Sequence, residues 1–380
     1  MSQGPSATNT VSPVAAVVAI TAFISILLSG YWILMVVPAP APDLEPSGDL
    51  VTSVYDPPTS SVEESLTRGD GQIFAAQATD PFFRDRQLIA GGAAEQAYRY
   101  QRPLYGWLGW IVSAGQPGAV AWAMVGITIV SIVALLAVSA KWMEWTGADP
   151  RLALALLATP GVFVDLIWVG PEALGTALVV FGLARWFGLG RGTKPRIPKL
   201  EDLVPTRVDA MAITAFGAAG LCRESLLVVP AVLAIAAVQQ REWPIMRAAA
   251  SSALPYLLWI VVLHQILGEW PKGAVPGRMS VVPFGGLLSA ASSWGPGDWL
   301  FAVAILALAI VALVLGRTSA LAPLIAVHLA LAMFLGEPVW IRFADFGRVL
   351  LPLTVLSVLA IAPLGSKRRE VLQAPLNPAT

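Results

Sequence analysis

Residues 118–140 read GAVAWAMVGITIVSIVALLAVSA and carry no charged side chain. A helix needs about 20 predominantly apolar residues to cross the hydrocarbon core of a bilayer, and this stretch is long enough. The rest of the chain has the same character: 56% of its 380 residues are hydrophobic and 13% are charged, whereas soluble domains carry about 25% charged residues. With a mean hydropathy of +0.71, the sequence predicts an all-α, polytopic membrane protein.

The same composition excludes several classes of protein. A cytosolic enzyme or a DNA-binding protein of this length would need more charge on its surface. The single cysteine, Cys222, cannot form an intramolecular disulfide and is interpreted as a small packing residue. The two histidines, His264 and His328, are interpreted as isolated polar residues in helices, so a His/Cys zinc cluster is not expected. Because the formal net charge is zero, no overall field attracts nucleic acid, and nucleic acid is not expected as a partner.

Further apolar stretches bring the expected number of transmembrane helices to about ten. They are residues 14–37, 118–140, 152–169, 171–187, 208–222, 225–240, 248–267, 299–316, 319–336 and 349–364. Several are short or contain Pro and Gly, which is tolerated where neighbouring helices or a water-filled cavity satisfy the backbone. Residues 14–37 are interpreted as a retained anchor rather than a cleaved signal peptide, because no positive charge precedes them and the run is long. Residues 104–114 are too short to span and are expected to be re-entrant or interfacial.

The distribution of charge predicts the orientation of these helices. With ten spans and an inner N-terminus, the inner segments hold 14 basic and 7 acidic residues, and the outer segments hold 10 basic and 17 acidic residues. Membrane proteins carry an excess of Lys and Arg in their cytoplasmic loops. The sequence therefore predicts one multi-pass domain over residues 1–380 in the plasma (inner) membrane. Its expected cytoplasmic segments are 1–13, 185–207 and 366–380, and its expected outer segments include 38–103 and 268–297.

The first outer segment is expected to fold in its second half. Residues 70–79 and 92–100 predict short helices at the membrane surface, with Asp80-Pro81 as a stop. In the outer segment 268–297, the sequence PFGGLL indicates a half-helix. The fold predicted from the sequence is thus a set of about ten spans with a long outer first loop that carries short interfacial helices.

Ionisable residues concentrate on the predicted outer side. Charges near a membrane core are costly and usually face a cavity. The acids of this layer are Asp70, Asp80, Asp85, Glu172 and Glu224, and its arginines are Arg99, Arg102, Arg223, Arg278, Arg342 and Arg348. Arginines bind phosphate through forked, charge-assisted hydrogen bonds, and a carboxylate can take a proton from a hydroxyl group. We therefore expect one outer cavity, formed above all by Asp70, Arg99, Arg102, Arg223 and Arg348.

The order of these elements resembles a known family. An anchor helix is followed by RGDGQIFAAQATDPF, YRYQRPLYGWLGWIVSAGQP, PEALGTALVVFGLARW, a CRES turn and FGRVLLPL before the last span. From about residue 14 to 364, the chain resembles the GT-C type of integral-membrane glycosyltransferases, in particular the bacterial branch that uses polyprenyl-phosphate sugars. The resemblance implies transfer of a hexose from such a donor to a lipid- or glycan-linked acceptor on the outer face.

The resemblance also implies roles for particular residues. An acid of the first outer loop serves as catalytic base, and Asp70 matches that position. Basic residues hold the donor phosphate, and Arg99, Arg102, Arg223 and Arg348 are the matching candidates. Glu224, Arg278 and Arg342 complete the expected substrate-binding set. About 30 residues separate the anchor helix from Asp70, which is more than many members have, so Asp80 stays a second candidate and Asp56 an alternative. No cofactor is expected, and a divalent-metal requirement is left open.

Other interpretations compete with this one. Asp70 suits a Gly-Asp-Gly turn, Arg99 and Arg102 suit snorkelling to lipid headgroups, and Arg223-Glu224 suits a self-neutralising pair. Glu172 suits the first turn of a helix, where acids favour the dipole. At the level of function, the alternative is a transporter or flippase for a lipid-linked or anionic substrate, although no clear internal repeat supports it. A membrane scaffold without catalysis would not explain the costly charges.

Overall fold

The computed structural model describes residues 12–37, 58–67, 70–84, 92–191, 195–271 and 277–373, and the side chains up to residue 365. Helices make up 76% of the structure, and no strand occurs in these ranges. The all-helical architecture is therefore as predicted. Some of the predictions fall outside the described residues: the segment 38–57 with Asp56, the residue Asp85, and most of the two terminal tails.

The helices are numbered here in chain order. The N-terminal half contains α1 (Pro13–Tyr31), α2 (Ser61–Thr67), α3 (Gly71–Thr79), α4 (Ala93–Tyr100), α5 (Pro103–Val112), α6 (Pro117–Thr146), α7 (Pro160–Trp168) and α8 (Glu172–Trp186). The C-terminal half contains α9 (Ala210–Cys222), α10 (Val228–Gln239), α11 (Trp243–Ser251), α12 (Leu254–Leu267), α13 (Gly285–Ala291), α14 (Pro296–Leu315), α15 (Ala322–Met333), α16 (Glu337–Trp340), α17 (Phe343–Val349) and α18 (Leu351–Gln373). A π-turn extends α1 over Trp32–Val36, and 3₁₀ turns cover Pro150–Ala158, Leu200–Leu203 and Glu224–Leu227.

Three helices are long and apolar enough to cross a membrane on their own. They are α1 with its π-turn, α6 and α14. Three bent pairs raise the number to six if each pair is one span: the 3₁₀ turn Pro150–Ala158 with α7, α11 with α12, and α17 with α18, bent by 63°, 43° and 60°. The remaining predicted spans correspond to shorter helices, α8, α9, α10 and α15. Multiple apolar spans are thus present, while the total of ten stays a prediction.

Prolines account for the positions of these breaks. Thr159 precedes Pro160, and its extended backbone (ψ 137°) ends the 3₁₀ turn before α7 begins. Proline disfavours the helical region for the preceding residue and lacks the N–H that would continue the ladder. Pro352 lies in the first turn of α18 and Pro255 in the first turn of α12. The break between α9 and α10 is different, because there Arg223 itself is extended (φ −158°, ψ 122°).

The short helices of the first loop form a second layer on the long ones. Helices occur at all the predicted places, namely α3, α4, α5 and α13. Helix α5 has ten residues, so at 1.5 Å per residue it is only about 15 Å long, which is too short to cross. It packs closely on α3, since a Cβ atom at Gly106 would lie 2.4 Å from the Cβ of Gln77. This contact fixes α3, which begins immediately after Asp70.

A second close approach fixes the C-terminal bend. A Cβ atom at Gly161 of α7 would lie 2.6 Å from the carbonyl oxygen of Gly347 of α17. Only glycine permits backbones to meet at this distance. The crossing holds α17 on α7 and places the adjacent Arg348 at the bend between α17 and α18. The two glycine contacts thus position Asp70, from the N-terminal half of the chain, and Arg348, from the C-terminal half, in the same region of the molecule.

Candidate functional site

A cavity of about 580 Å³ lies between the first-loop helices, the α9–α10 break, α15 and the α17–α18 bend. One part of its wall is polar and contains five arginines. These polar lining residues are Asp70, Tyr98, Arg99, Arg102, Arg223, Glu224, Ser225, Arg278, His328, Asp345 and Arg348. Most of the apolar lining residues come from α15, α16, α18 and the turn between α15 and α16, and they include Leu331, Leu335, Val339, Pro352 and Leu353. The cavity therefore suits a ligand that is anionic at one end and apolar at the other.

Asp70 and Arg348 form an ion pair across 278 residues of sequence. Nη1 of Arg348 donates to Oδ2 of Asp70 at 2.7 Å. The guanidinium also lies over the ring of Trp168, 5.1 Å from its centroid. Burial by itself raises the pKa of the Asp70 carboxyl, but the charge and hydrogen bond of Arg348, with the charges of Arg99 and Arg102, lower this pKa to about 2. Asp70 is therefore an anion at every physiological pH.

Arg102 and Glu224 form the second pair of the cavity wall. Nε and Nη2 of Arg102 donate to the two carboxylate oxygens of Glu224, both at 2.7 Å. This two-fold geometry fits the planar guanidinium to the planar carboxylate. The pair ties the loop after α4 to the α9–α10 break.

Arg223 is paired with Glu172 rather than with its neighbour Glu224. Glu172 begins α8, is 4% exposed, and accepts from Nη1 of Arg223. The fully buried Asp165 accepts from the backbone N–H of Ala173 at 2.5 Å. Its other oxygen and the free oxygen of Glu172 border Gly170, and within the described residues neither has a hydrogen-bond partner. The interpretation of Arg223-Glu224 as a self-neutralising pair is thus wrong, because each residue has a different partner.

Arg278 differs from the other arginines of the cavity. Across the described ranges, no carboxylate lies within ion-pair distance of it. Its guanidinium lies over the ring of Tyr98, 4.6 Å from the centroid. Burial lowers the pKa of this guanidinium, and the charges of Asp70 and Glu95 offset part of that effect. Arg278 therefore presents a positive charge that a bound anion can neutralise.

The backbone around Arg278 is held in place by a close contact. The N–H of Gly336 donates to the carbonyl oxygen of Arg278 at 2.7 Å, and Ser280 donates to the carbonyl oxygen of Phe334 at 2.8 Å. A Cβ atom at Gly336 would lie 1.5 Å from the carbonyl oxygen of Gly277. Glycine is thus required at 336, and the contact fixes Arg278 at the rim of the cavity.

Two residues expected at the site lie elsewhere. Asp80 follows α3 at the end opposite to Asp70. The two residues are ten positions apart, which corresponds to about 15 Å along a helix, and Asp80 is not among the described residues that line the cavity. Arg342 likewise does not line it: this side chain is 55% exposed and pairs with Asp345 at 3.1 Å. Arg99 does line the cavity and is paired with Glu95 at 2.7 Å.

Sequence reasoning missed three features of the site. Glu172 was counted among the outer acids and interpreted as a first-turn acid of a helix, but its role as the partner of Arg223 was not predicted. Tyr98 lies in the predicted surface helix 92–100 and was not identified as a site residue, yet its ring is faced by Arg99, Arg102 and Arg278. His328 was expected to be an isolated polar residue, yet it lines the cavity. The available signal for His328 was its position as the one ionisable residue of an otherwise apolar helix, which usually marks a cavity.

Comparison of the chain with family models, with curated proteins and with solved structures gave no match. Within the described residues, no group of three or more His, Cys, Asp or Glu side chains is placed to hold a metal ion. The arrangement has two chemical capacities. Its arginines can bind a phosphate, and the Asp70 carboxylate can accept a proton.

Proposed function

We propose that the protein is a membrane glycosyltransferase that moves a hexose from a polyprenyl-phosphate donor to a lipid- or glycan-linked acceptor. The observation that carries the proposal is the Asp70–Arg348 pair in a cavity lined by five arginines and by aliphatic residues of α15, α16 and α18. A lipid-phosphate sugar has the same division, because it joins an anionic phosphate to an apolar chain. The GT-C resemblance of the sequence supports the same function.

The donor phosphate binds where the arginines converge. Arg278 offers a charge without an ion-pair partner in the described part of the chain, and Arg348 offers one that it shares with Asp70. A phosphate competes well for Arg348, since charge-assisted hydrogen bonds from arginine to phosphate are strong and often two-fold. The first prenyl units then lie along the apolar lining residues of α16 and α18, such as Val339 and Pro352. In this scheme, the donor enters the cavity from the surrounding lipid bilayer.

Competition between the donor phosphate and Asp70 for Arg348 also makes Asp70 a stronger base. A carboxylate with a pKa of about 2 is a weak proton acceptor, because base strength rises with pKa. When the donor phosphate takes over Arg348, Asp70 loses its main stabilising charge and its pKa returns toward the ordinary value. The base therefore gains strength only when the donor is bound, which limits unproductive chemistry in the empty enzyme.

The transfer step itself is a displacement at the anomeric carbon. The acceptor hydroxyl oxygen forms a bond to that carbon, and its proton passes to the Asp70 carboxylate. The bond between the anomeric carbon and the phosphate oxygen breaks at the same time, and the electron pair leaves with polyprenyl phosphate. Arginine side chains stabilise the additional negative charge on this leaving group. Direct displacement of this kind inverts the configuration of the sugar.

The proposal includes ten spans, a plasma-membrane location and a cavity on the outer face. Labelling of single cysteines by a membrane-impermeant reagent tests this orientation in a background with Cys222→Ala. Arg84→Cys, in the first loop, is expected to be labelled in intact cells, and Glu201→Cys, in the basic loop, only after permeabilisation. Both sites are exposed. The reverse pattern would contradict the orientation.

The function is tested directly with labelled donors. Membranes that contain the protein are incubated with radiolabelled polyprenyl-phosphate mannose or polyprenyl-phosphate glucose, and label in acceptor fractions is measured. We expect transfer that is lost in the Asp70→Asn variant and kept in Asp80→Asn, which alters the opposite end of the same helix. Transfer equal to that of membranes lacking the protein would reject the proposal.

A transporter or flippase is the second candidate, and the three bent helix pairs favour it. Broken helices with polar residues near the break are typical of transporters. The two functions are separated in proteoliposomes that contain labelled polyprenyl-phosphate sugar and no acceptor. Movement of the lipid between leaflets, without loss of its sugar and in an Arg348-dependent manner, would favour the transporter.

A further inference from the structure

His328 occupies an uncommon position for a histidine. It lies in the apolar helix α15, lines the cavity, and is 8% exposed. Nδ1 lies 2.8 Å from the carbonyl oxygen of Leu324, one turn earlier in the same helix. Because a carbonyl oxygen only accepts hydrogen bonds, Nδ1 carries a proton in this contact. In the neutral ring, Nε2 then has the free lone pair.

This Nε2 atom has no partner. It is buried, and no donor within hydrogen-bond distance exists among the described residues. The lining residues one turn further along the same helix, Leu331 and Ala332, are aliphatic and offer none. Leaving a buried acceptor unpaired is unfavourable, so such an atom calls for an explanation in terms of a ligand or a function.

His328 is separated from Arg278 along the length of α15. It precedes Met333, the last residue of α15, by five positions, or about 8 Å along the helix. Just beyond that helix end, Leu335 pairs with Met279, next to Arg278. A ligand whose phosphate is bound at Arg278 therefore has space to place another polar group at His328.

We propose that His328 is a specificity-determining residue that accepts, at Nε2, a hydrogen bond from a hydroxyl group of the carbohydrate in the cavity. This proposal rests on the glycosyltransferase function proposed above. The phosphodiester and the prenyl chain of the donor have no O–H or N–H group to donate. The hydroxyl group thus belongs either to the donor sugar or to the acceptor.

The donor is tested by equilibrium binding to the purified, full-length protein. The probes are polyprenyl-phosphate mannose, polyprenyl-phosphate glucose and sugar-free polyprenyl phosphate. His328→Phe keeps an aromatic ring without an acceptor atom, and His328→Gln keeps an acceptor oxygen. We expect His328→Phe to weaken binding of a sugar-bearing lipid about fivefold, the typical effect of one hydrogen bond, and to leave sugar-free polyprenyl phosphate unaffected. His328→Gln is expected to lie between His328→Phe and the wild type.

The acceptor is tested with the corresponding methyl glycosides as competitors of transfer. If His328→Phe weakens competition by a methyl glycoside and not donor binding, the hydroxyl group belongs to the acceptor, which also supports the role of His328. The thermal stability of His328→Phe is expected to equal or exceed that of the wild type, because the substitution removes an unpaired buried polar atom.

Three results would overturn the role of His328. Unchanged affinity for every carbohydrate probe would do so, and so would an equal loss of affinity for sugar-bearing and sugar-free lipids, which indicates general distortion. In both cases Arg278-dependent lipid binding would leave the proposed function standing. If the wild-type protein binds none of the three lipids, the proposed function fails and the role of His328 fails with it.

Discussion

Two regions of the molecule hold arginine–carboxylate or lysine–carboxylate pairs, and they differ in burial. The cavity pairs that join distant parts of the chain are Asp70–Arg348, Arg102–Glu224 and Arg223–Glu172. The loop cluster consists of Arg196–Asp202 and Lys199–Glu201, at 3.3 and 3.5 Å. In the cavity, the side chains of Arg348 and Arg223 are 12% and 11% exposed, whereas those of Arg196 and Lys199 in the loop cluster are 53% and 69% exposed. The same chemistry thus occurs in two environments.

Burial changes what such pairs can contribute. An exposed pair gains little, since water screens it, and it is typically worth about 0–1 kcal/mol. A buried pair gains more from Coulomb attraction but loses hydration, so hydrophobic residues of similar size often stabilise a protein equally well. Stability alone therefore does not account for the cavity pairs. The proposed function would account for them through a requirement for charge in the ligand-bound state, and it predicts that the two regions respond differently to the same substitution.

The largest difference is expected for acid-to-amide substitutions and transfer rate. Asp70→Asn keeps the size of the side chain and removes the proton acceptor, so we expect sugar transfer to fall about 10²–10⁴-fold. Asp202→Asn in the loop cluster is the matched control and is expected to transfer at the wild-type rate. Initial rates at saturating donor measure both. If Asp80→Asn loses activity and Asp70→Asn does not, the base lies at the other end of α3. Normal activity in both Asp70→Asn and Asp80→Asn would favour transport.

The second difference concerns stability. Glu172→Gln leaves Arg223 buried without its anion, and breaking a buried pair in this way costs about 3–5 kcal/mol. Glu201→Gln in the loop cluster, where the acid is 76% exposed, is expected to change the free energy of unfolding by less than about 0.5 kcal/mol. Unfolding of the detergent-solubilised variants measures both values. Similar small effects at the two sites would show that the buried pair is hydrated.

The partner of Glu172 sharpens this prediction. Oδ1 of Asp165 and Oε2 of Glu172 both border Gly170 without a donor from the described residues, and a single proton shared between them would pair both atoms. Asp165→Asn replaces that proton by an amide N–H and is expected to be tolerated. Asp165→Ala removes the acceptor of the Ala173 N–H as well and is expected to lower the melting temperature. Equal destabilisation by Asn and Ala would contradict the shared proton.

The sequence predicts where helices form better than it predicts how many membrane spans these helices make. Apolar stretches and X-Pro steps such as Thr159-Pro160 mark local events, and local physics determines them. Whether α9, with 13 residues, spans with a neighbour depends on packing across the chain. The break at Arg223 was predicted, because Arg223 and Glu224 separate two apolar runs. The partners that stabilise it, Glu172 and Arg102 on distant elements, had no local signal.

The site shows the same limit. The convergence of Asp70 and Arg348 follows from the cost of isolated charges near a membrane, which forces such residues together. The choice of partners does not follow, since Arg223 pairs over 51 residues with Glu172 and not with the adjacent Glu224. Asp80 was a second candidate because of the long spacing between the anchor helix and Asp70, and Arg342 was included with the polar group that contains Arg348. Neither residue lines the cavity.

The third difference concerns affinity for the donor lipid. Arg278→Gln removes a charge that has no ion-pair partner in the described part of the chain, so no anion is left unpaired and stability is expected to stay at the wild-type value. The affinity for polyprenyl phosphate is expected to fall about tenfold, as for one charge-assisted hydrogen bond. Arg196→Gln in the loop cluster is the control and is expected to bind normally. Titration with polyprenyl phosphate measures both, and equal affinities would exclude Arg278 from the phosphate site.

The smallest difference is expected in the response to acid. Asp70 has its pKa lowered from 3.8 to about 2 by Arg348, with burial acting in the opposite direction. A group whose pKa is lowered on folding contributes stability above its unfolded pKa and loses it as the pH falls through the folded pKa. The stabilisation by Asp70 is thus complete above about pH 4 and is lost between about pH 4 and pH 2. Because its side chain is 34% exposed, solvent screening makes this contribution small.

We expect the stability difference between the wild type and Asp70→Asn to be constant from pH 7 to pH 5 and to shrink below pH 4, as measured by unfolding of the two proteins in parallel. A difference that already shrinks near pH 6 would mean that Arg348 does not hold Asp70 in the ligand-free protein, and that donor binding has no base to release.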